Sequence, residues 1–158
     1  MGRRGKGFTL IEVVVTVAIV AILATGAVQL AELGAQRSRE AELRIALRQI
    51  RGALDDYKAA YDKGRIQQRV GASGYPPDLG VLENGVRDAQ DPSGAMIYFL
   101  RRLPRDPFST DARASAADTW GKRSYASPPD APVEGSDVFD VHSLSPRIGL
   151  NGVPYREW

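Results

Sequence analysis

The sequence predicts an α+β chain: one long N-terminal helix, then a turn-rich half that holds short strands. Three observations predict it. No proline occurs before Pro76, so nothing in the first part of the chain breaks a helix. Leu43, Leu47, Ile50, Leu54, Tyr57 and Tyr61 recur at alternating spacings of four and three, the apolar stripe of a helix. Beyond Gly64 the chain is rich in turn formers, and Asp137–Ser143 alternates polar and apolar as a half-buried strand does.

Composition narrows the function classes. At 158 residues the chain suits one domain plus one membrane segment. Its formal charge of +2 depends on Arg3, Arg4 and Lys6, without which the side chains sum to about −1. No basic patch is interleaved with aromatics, which argues against a nucleic-acid partner. There is no cysteine, so an exported domain must be held by its core or its neighbours.

Residues 1–7 form a short basic leader that closes on Gly7. An apolar run of about 23 residues follows, from Phe8 to Leu30, long enough to span a bilayer as a helix. Glu12 stands five places into it. An acid at mid-membrane costs from roughly 2.5 kcal/mol, so it is read as functional by default. Basic residues before the span and none within it put the N-terminus in the cytoplasm. An ordinary secretory signal would have only about 7–15 apolar residues before a small-residue cleavage site. Ala24-Thr25-Gly26 offers a poor one, and the run is longer and carries an acid. A plain membrane anchor would leave Glu12 without a role.

Residues 31–64 continue the helix in amphipathic form. Ala46, Ala53 and Ala60 run beside the apolar stripe. The other faces carry Arg37, Arg39, Glu40, Glu42, Arg44, Arg48, Arg51, Asp55, Asp56, Lys58 and Asp62. The stripe lasts under three heptads and ends in two tyrosines, which favours the core face of its own domain over a coiled-coil seam. Gly64 is the expected C-terminal cap. From Phe8 to Lys63 the helix would measure roughly 84 Å.

Residues 65–158 form the globular part. Tyr75-Pro76-Pro77-Asp78 excludes helix, and Leu79, Val81 and Leu82 suit a short helical turn. Ser109–Asp118 and Ser127–Ser136 read as surface loops. Asn151-Gly152 favours a tight hairpin turn, and Tyr155 and Trp158 are expected to pin the last loop by packing. His142 is the single histidine. Asp140 shares its strand face and Ser143 points the other way, so no nucleophile, base and orienting acid converge. No zinc, phosphate-loop or nucleotide motif occurs. The chain is not expected to be an enzyme.

Gly7-Phe8-Thr9-Leu10-Ile11-Glu12, behind Arg3, Arg4 and Lys6, resembles the processing site of type IV prepilins and of the pseudopilins of type II secretion systems. The resemblance implies cleavage between Gly7 and Phe8 by a membrane prepilin peptidase, N-methylation of Phe8, and a role in filament assembly for Phe8 and Glu12. Later blocks are similar to major pseudopilins: Gly74-Tyr75-Pro76, then Leu103-Pro104-Arg105-Asp106-Pro107-Phe108, then Trp120-Gly121. With no cysteine, the chain resembles a major (G-type) pseudopilin more than a type IV pilin or minor pilin of a surface pilus serving adhesion, motility or DNA uptake.

What the resemblance implies is a type IV pilin-like fold, its long helix packed on a small antiparallel sheet with long loops. The helix would cross the inner membrane and later line the filament, with the domain in the periplasm. Implied partners are further copies in a helical homopolymer, minor pseudopilins, the peptidase, the inner-membrane assembly platform, and lipid before assembly. Two departures stand out. Gln29 stands where the family has a helix-loosening proline, with Gly26 nearby. Major pseudopilins bind calcium in the loop after the last main strand, yet Ser145–Gly152 has no carboxylate and carries Arg147. Asp137 and Asp140 flank that loop as the remaining candidate donors. The metal site is expected to be lost, and no cofactor is expected.

Overall fold

A computed structural model describes residues 9–68 and 70–158, and for residues 25–29 the backbone alone. The chain divides after Ser38 into two compact units. The first helix, α1, runs unbroken over Leu10–Asp62 and belongs to both. Thr9 starts it. Its hydroxyl accepts a hydrogen bond from the Glu12 N–H at 3.3 Å, the Thr-x-x-Glu arrangement of a capping box. The backbone stays helical through Gly26–Gln29.

In the first unit the described apolar side chains lie bare. Leu10 is 85% exposed, and Ile11, Val14, Val17, Val20, Ile22 and Leu23 are all exposed as well. Among the described residues no helix is long and apolar enough to cross a membrane.

The second unit is built on the other half of α1. Leu43, Ala46, Leu47, Ile50, Ala53, Leu54, Tyr57 and Ala60 are all buried, so the stripe is the core face of its own domain. The helix ends in a Schellman motif. Gly64 takes φ +73°, its N–H donates to Tyr61 O, and Arg65 N–H reaches back to Ala60 O. A short helix, α2 (Gly80–Asn84), follows the two prolines, with Leu79 and Leu82 buried.

The expected single sheet is two separate antiparallel pairs. Strands β1 (Val86–Arg87) and β2 (Met96–Ile97) form one. Strands β3 (Trp120–Arg123) and β4 (Asp140–Ser143) form the other, with Trp120 opposite Ser143 and Gly121 opposite His142. The segment between the pairs contains Pro104 and Pro107, which lack the N–H a bridging strand would donate. It is tied by single contacts instead. Trp120 Nε1 donates to Pro104 O at 2.9 Å, and the buried Asp106 accepts from Phe108 N at 2.7 Å and from the Ser143 hydroxyl.

Two local expectations shift. Of Asp137–Ser143, only Asp140 onward joins the ladder. Val138 and Phe139 donate to Pro76 O and Arg123 O. At the C-terminus the turn is Gly149–Gly152, closed by Gly152 N–H to Gly149 O and by Gly149 N–H to Val153 O. Asn-Gly therefore occupies its last two places, not its centre. A two-residue turn on Asn-Gly needs positive φ at both, and among the described residues only glycines have it, Gly152 at +81°.

Candidate functional site

The expected cleavage and methylation residues, Gly7 and Phe8, lie outside the described residues. The third, Glu12, falls in the first turn of α1. The free N–H groups there make the helix end electropositive, and a carboxylate gains about 0.3–1 kcal/mol from it. Glu12 is thus held where a helix itself favours an acid. One turn on, the Thr16 hydroxyl donates to Glu12 O and Val13 O, both at 2.9 Å. Its polarity is spent on its own backbone, which fits Thr16 for an apolar surrounding. The apolar side chains around this turn, Leu10, Ile11, Val13 and Val14, are all exposed.

A second polar centre escaped the sequence reading. Glu40, grouped there with the outer charges, is 3% exposed. Its Oε1 accepts from the Tyr155 hydroxyl at 2.9 Å and from the Leu150 N–H at 2.8 Å. Arg44 lies 3.7 Å from the other oxygen and stacks over the Trp158 ring at 4.3 Å. Tyr155 is fully buried, stacked on Phe108 at 4.1 Å, with Trp158 edge-on at 5.0 Å. The last loop is pinned by its two aromatics, as expected, and by a helix carboxylate that was not. The signal was present: Glu40 stands three residues before Leu43, in phase with the stripe.

Asp137 and Asp140 do not come together as metal ligands. Asp137 accepts from the Ser124 hydroxyl at 2.5 Å and from Tyr125 N at 3.0 Å. Burial works to raise its pKa, but the hydrogen bonds from Ser124, Ser73 and Tyr125 outweigh it and hold the carboxyl below the usual range. Asp140 is paired with Arg51 at 2.8 Å. Among the described residues no cluster of three or more His, Asp or Glu side chains could hold a metal. The donor set does not suit calcium, since the carboxylate nearest the loop, Glu40, is already engaged.

His142 packs flat across Gly121, where an added Cβ would lie 2.3 Å from its Nε2. Burial lowers its pKa, against the pull of Asp140. Ser143 points to the core and donates to Asp106. It thus faces away from His142 and Asp140, and Asp140 is paired with Arg51.

Residues 2–28 match the family model for the prokaryotic N-terminal methylation motif. The methylation motif marks the precursor of a type IV pilin-like subunit, of a pilus or a pseudopilus, trimmed by a prepilin peptidase and methylated at its new N-terminus. Such subunits are structural, not enzymes. The motif takes in Gly7, Phe8, the capping Thr9 and Glu12. No curated protein and no solved structure is similar enough to this chain to count as a match.

Proposed function

We propose that this chain is a major-type pseudopilin. It is cleaved between Gly7 and Phe8, methylated on Phe8, and polymerised into the periplasmic pseudopilus of a type II secretion system. The observation that supports this most is the methylation motif running directly into a capped helix with Glu12 in its first turn. The absence of cysteine and the blocks around Tyr75, Asp106 and Trp120 favour the pseudopilin branch over a surface pilus.

In this mechanism the unassembled subunit sits in the inner membrane with its N-terminus in the cytoplasm and its domain in the periplasm. Glu12 stays near the cytoplasmic interface, within reach of water. Assembly removes that water, because bare apolar helices pack around the carboxylate. An uncompensated buried charge would then oppose assembly. Cleavage supplies the compensation: it removes Arg3, Arg4 and Lys6 and frees the Phe8 amine, four positions from Glu12. The amine of the same subunit or of a neighbour neutralises the acid, and filament growth pushes cargo toward the outer membrane.

Intact-mass measurement of membrane-extracted protein tests the processing. A chain beginning at methylated Phe8 is expected. A start at Met1, or near Gly26, would overturn it. Deleting the gene separates the two branches: loss of protein secretion is expected, whereas loss of surface pili with secretion intact would make the chain a pilin.

A further inference from the structure

The last loop of the domain is firmly held and yet bare. Its turn is closed by Gly152 N–H to Gly149 O and by Gly149 N–H to Val153 O, and Ile148 pairs with Pro154 beyond it. Glu40 pins it through the Leu150 N–H and the Tyr155 hydroxyl. Even so, Leu144 and Ile148 are each 60% exposed, and Leu150 and Val153 are exposed with them. Apolar tips gathered on one ordered segment mark a surface that meets a partner or a membrane. From Leu144 to Val153 there is no acid, and the one charge is Arg147. Arg39 and Arg147 line one cleft with Leu144 and Phe108, and the Arg147 guanidinium lies over the Phe108 ring at 5.5 Å. Among the described residues neither arginine enters an ion pair. The acids of that cleft are engaged within the domain. Asp106 accepts from Phe108 N and the Ser143 hydroxyl, Asp111 from Arg113 N and Ala114 N, and Asp118 from the Ser115 hydroxyl.

We propose that this turn docks on an anionic lipid surface while the subunit is unassembled, with Ile148 and Leu150 entering the headgroup layer and Arg39 and Arg147 pairing with lipid phosphates. The inference rests on the membrane placement proposed above. Two observations commit it to lipid. The patch combines bare apolar tips with uncommitted guanidinium groups, and binding to a membrane surface is the sum of those two contributions. The planar fork of an arginine also matches a phosphate group. The second observation is the tether. Ten residues separate Leu30, the last of the apolar run, from Glu40, which pins the turn. Fully extended they span at most about 35 Å, so the domain stays close to the bilayer that holds its own chain. Tethering makes docking intramolecular, at a high effective concentration, so a few modest contacts suffice. Docking keeps the waiting subunit against the bilayer, and assembly has to break it.

The absence of native cysteine allows a single fluorophore to be placed at will. The full-length chain carrying Ile148→Cys, labelled with a polarity-sensitive dye, is reconstituted into vesicles of phosphatidylethanolamine and phosphatidylglycerol, or of phosphatidylcholine alone. Lipids bearing a nitroxide on the headgroup should quench the dye in the anionic vesicles and much less in the neutral ones. A dye at Ala131→Cys, on an exposed loop elsewhere in the domain, should stay unquenched in both. Arg39→Gln and Arg147→Gln should each lower the docked-to-undocked ratio about fivefold, as about 1 kcal/mol per basic residue near an anionic surface gives. High salt should act the same way on the unsubstituted arginines, an effect that no folding defect can imitate. Quenching indifferent to lipid charge and to salt would overturn the proposal. So would disulfide dimers of unlabelled Ile148→Cys in place of quenching, which would make a second copy the occupant. A dye at Val14→Cys, within the apolar run, reports insertion through nitroxides on the acyl chains. Quenching there with none at position 148 would overturn the docking and spare the membrane placement. Quenching at neither position would overturn both.

Discussion

The Glu40 carboxylate on α1 accepts a hydrogen bond of 2.9 Å from the hydroxyl of Tyr155, 115 residues later in the chain. Both residues are buried. Glu40→Ala leaves a buried hydroxyl and the Leu150 N–H without their acceptor. The expected loss is about 2–3 kcal/mol, since a buried donor left unpaired costs about 1–3 kcal/mol and Leu150 is exposed enough for water to replace part of its bond. Glu40→Gln keeps an amide oxygen in place and should lose about 1 kcal/mol. Urea unfolding of the detergent-solubilised chain, followed by tryptophan fluorescence, measures both. Equal losses for the two variants would mean that packing, not acceptance, is what Glu40 supplies.

His142 makes the domain less stable in mild acid. Burial lowers its folded pKa below the ordinary value of 6.5. Between the two values the unfolded chain binds a proton that the folded chain does not, so stability rises with pH there and falls as pH drops below about 6.5. Thermal unfolding between pH 7.5 and pH 5 should show this fall, and His142→Gln should flatten it.

Gly121→Ala tests the same contact from the other strand. A methyl group there overlaps the imidazole, so the ring must leave its seat. The expected cost is about 1–3 kcal/mol, typical of overpacking. The pH dependence should also shrink, because an exposed imidazole titrates alike in both states. A variant with unchanged pH dependence would show that the ring is protected by something other than Gly121.

Millimolar calcium should leave the melting temperature where it is. A ligand at a hundredfold excess over its Kd would add about 2.7 kcal/mol, an easily seen shift. A rise with calcium and not with magnesium would show that Asp137, Asp140 or loop carbonyls rearrange into a site.

Glu12→Ala should leave membrane insertion and cleavage intact and abolish polymerisation. Glu12→Gln should fail too, since it preserves shape but not charge. Electron microscopy of filaments, alongside immunoblots of processed subunit, measures the outcome. Normal filaments from Glu12→Ala would make the acid a passenger.

Local chemistry was legible in the sequence, and distant partnership was not. The stripe from Leu43 to Tyr61 predicted the buried face of α1, because helical period and burial are the same fact. Gly64 predicted its own cap. Glu40 was misassigned because a carboxylate in a charged stretch reads as solvent-facing. Its acceptor role depends on Leu150 and Tyr155, more than a hundred residues away. The two-residue strands β1 and β2 are too short to show any alternation. The Asn151-Gly152 turn moved by one place because a two-residue turn centred there needs positive φ at both residues, and only Gly152 has it.

The globular unit hangs its loops on one helix by separate pins rather than threading them through a common sheet. Glu40 holds the last loop, Arg51 holds the start of β4 through Asp140 and Val141 O, and the α1 end holds the β1 region through Gln90 and Arg65. The segments 109–118 and 127–136 are tied to their own flanks, Asp111 O to Arg105 and Val133 O to the Ser124 N–H, so added length at their exposed tips, between those ties, leaves the β3–β4 register alone. Insertions and deletions there should be tolerated freely, and related chains can be expected to differ most in loop length while keeping the helix positions that carry the pins.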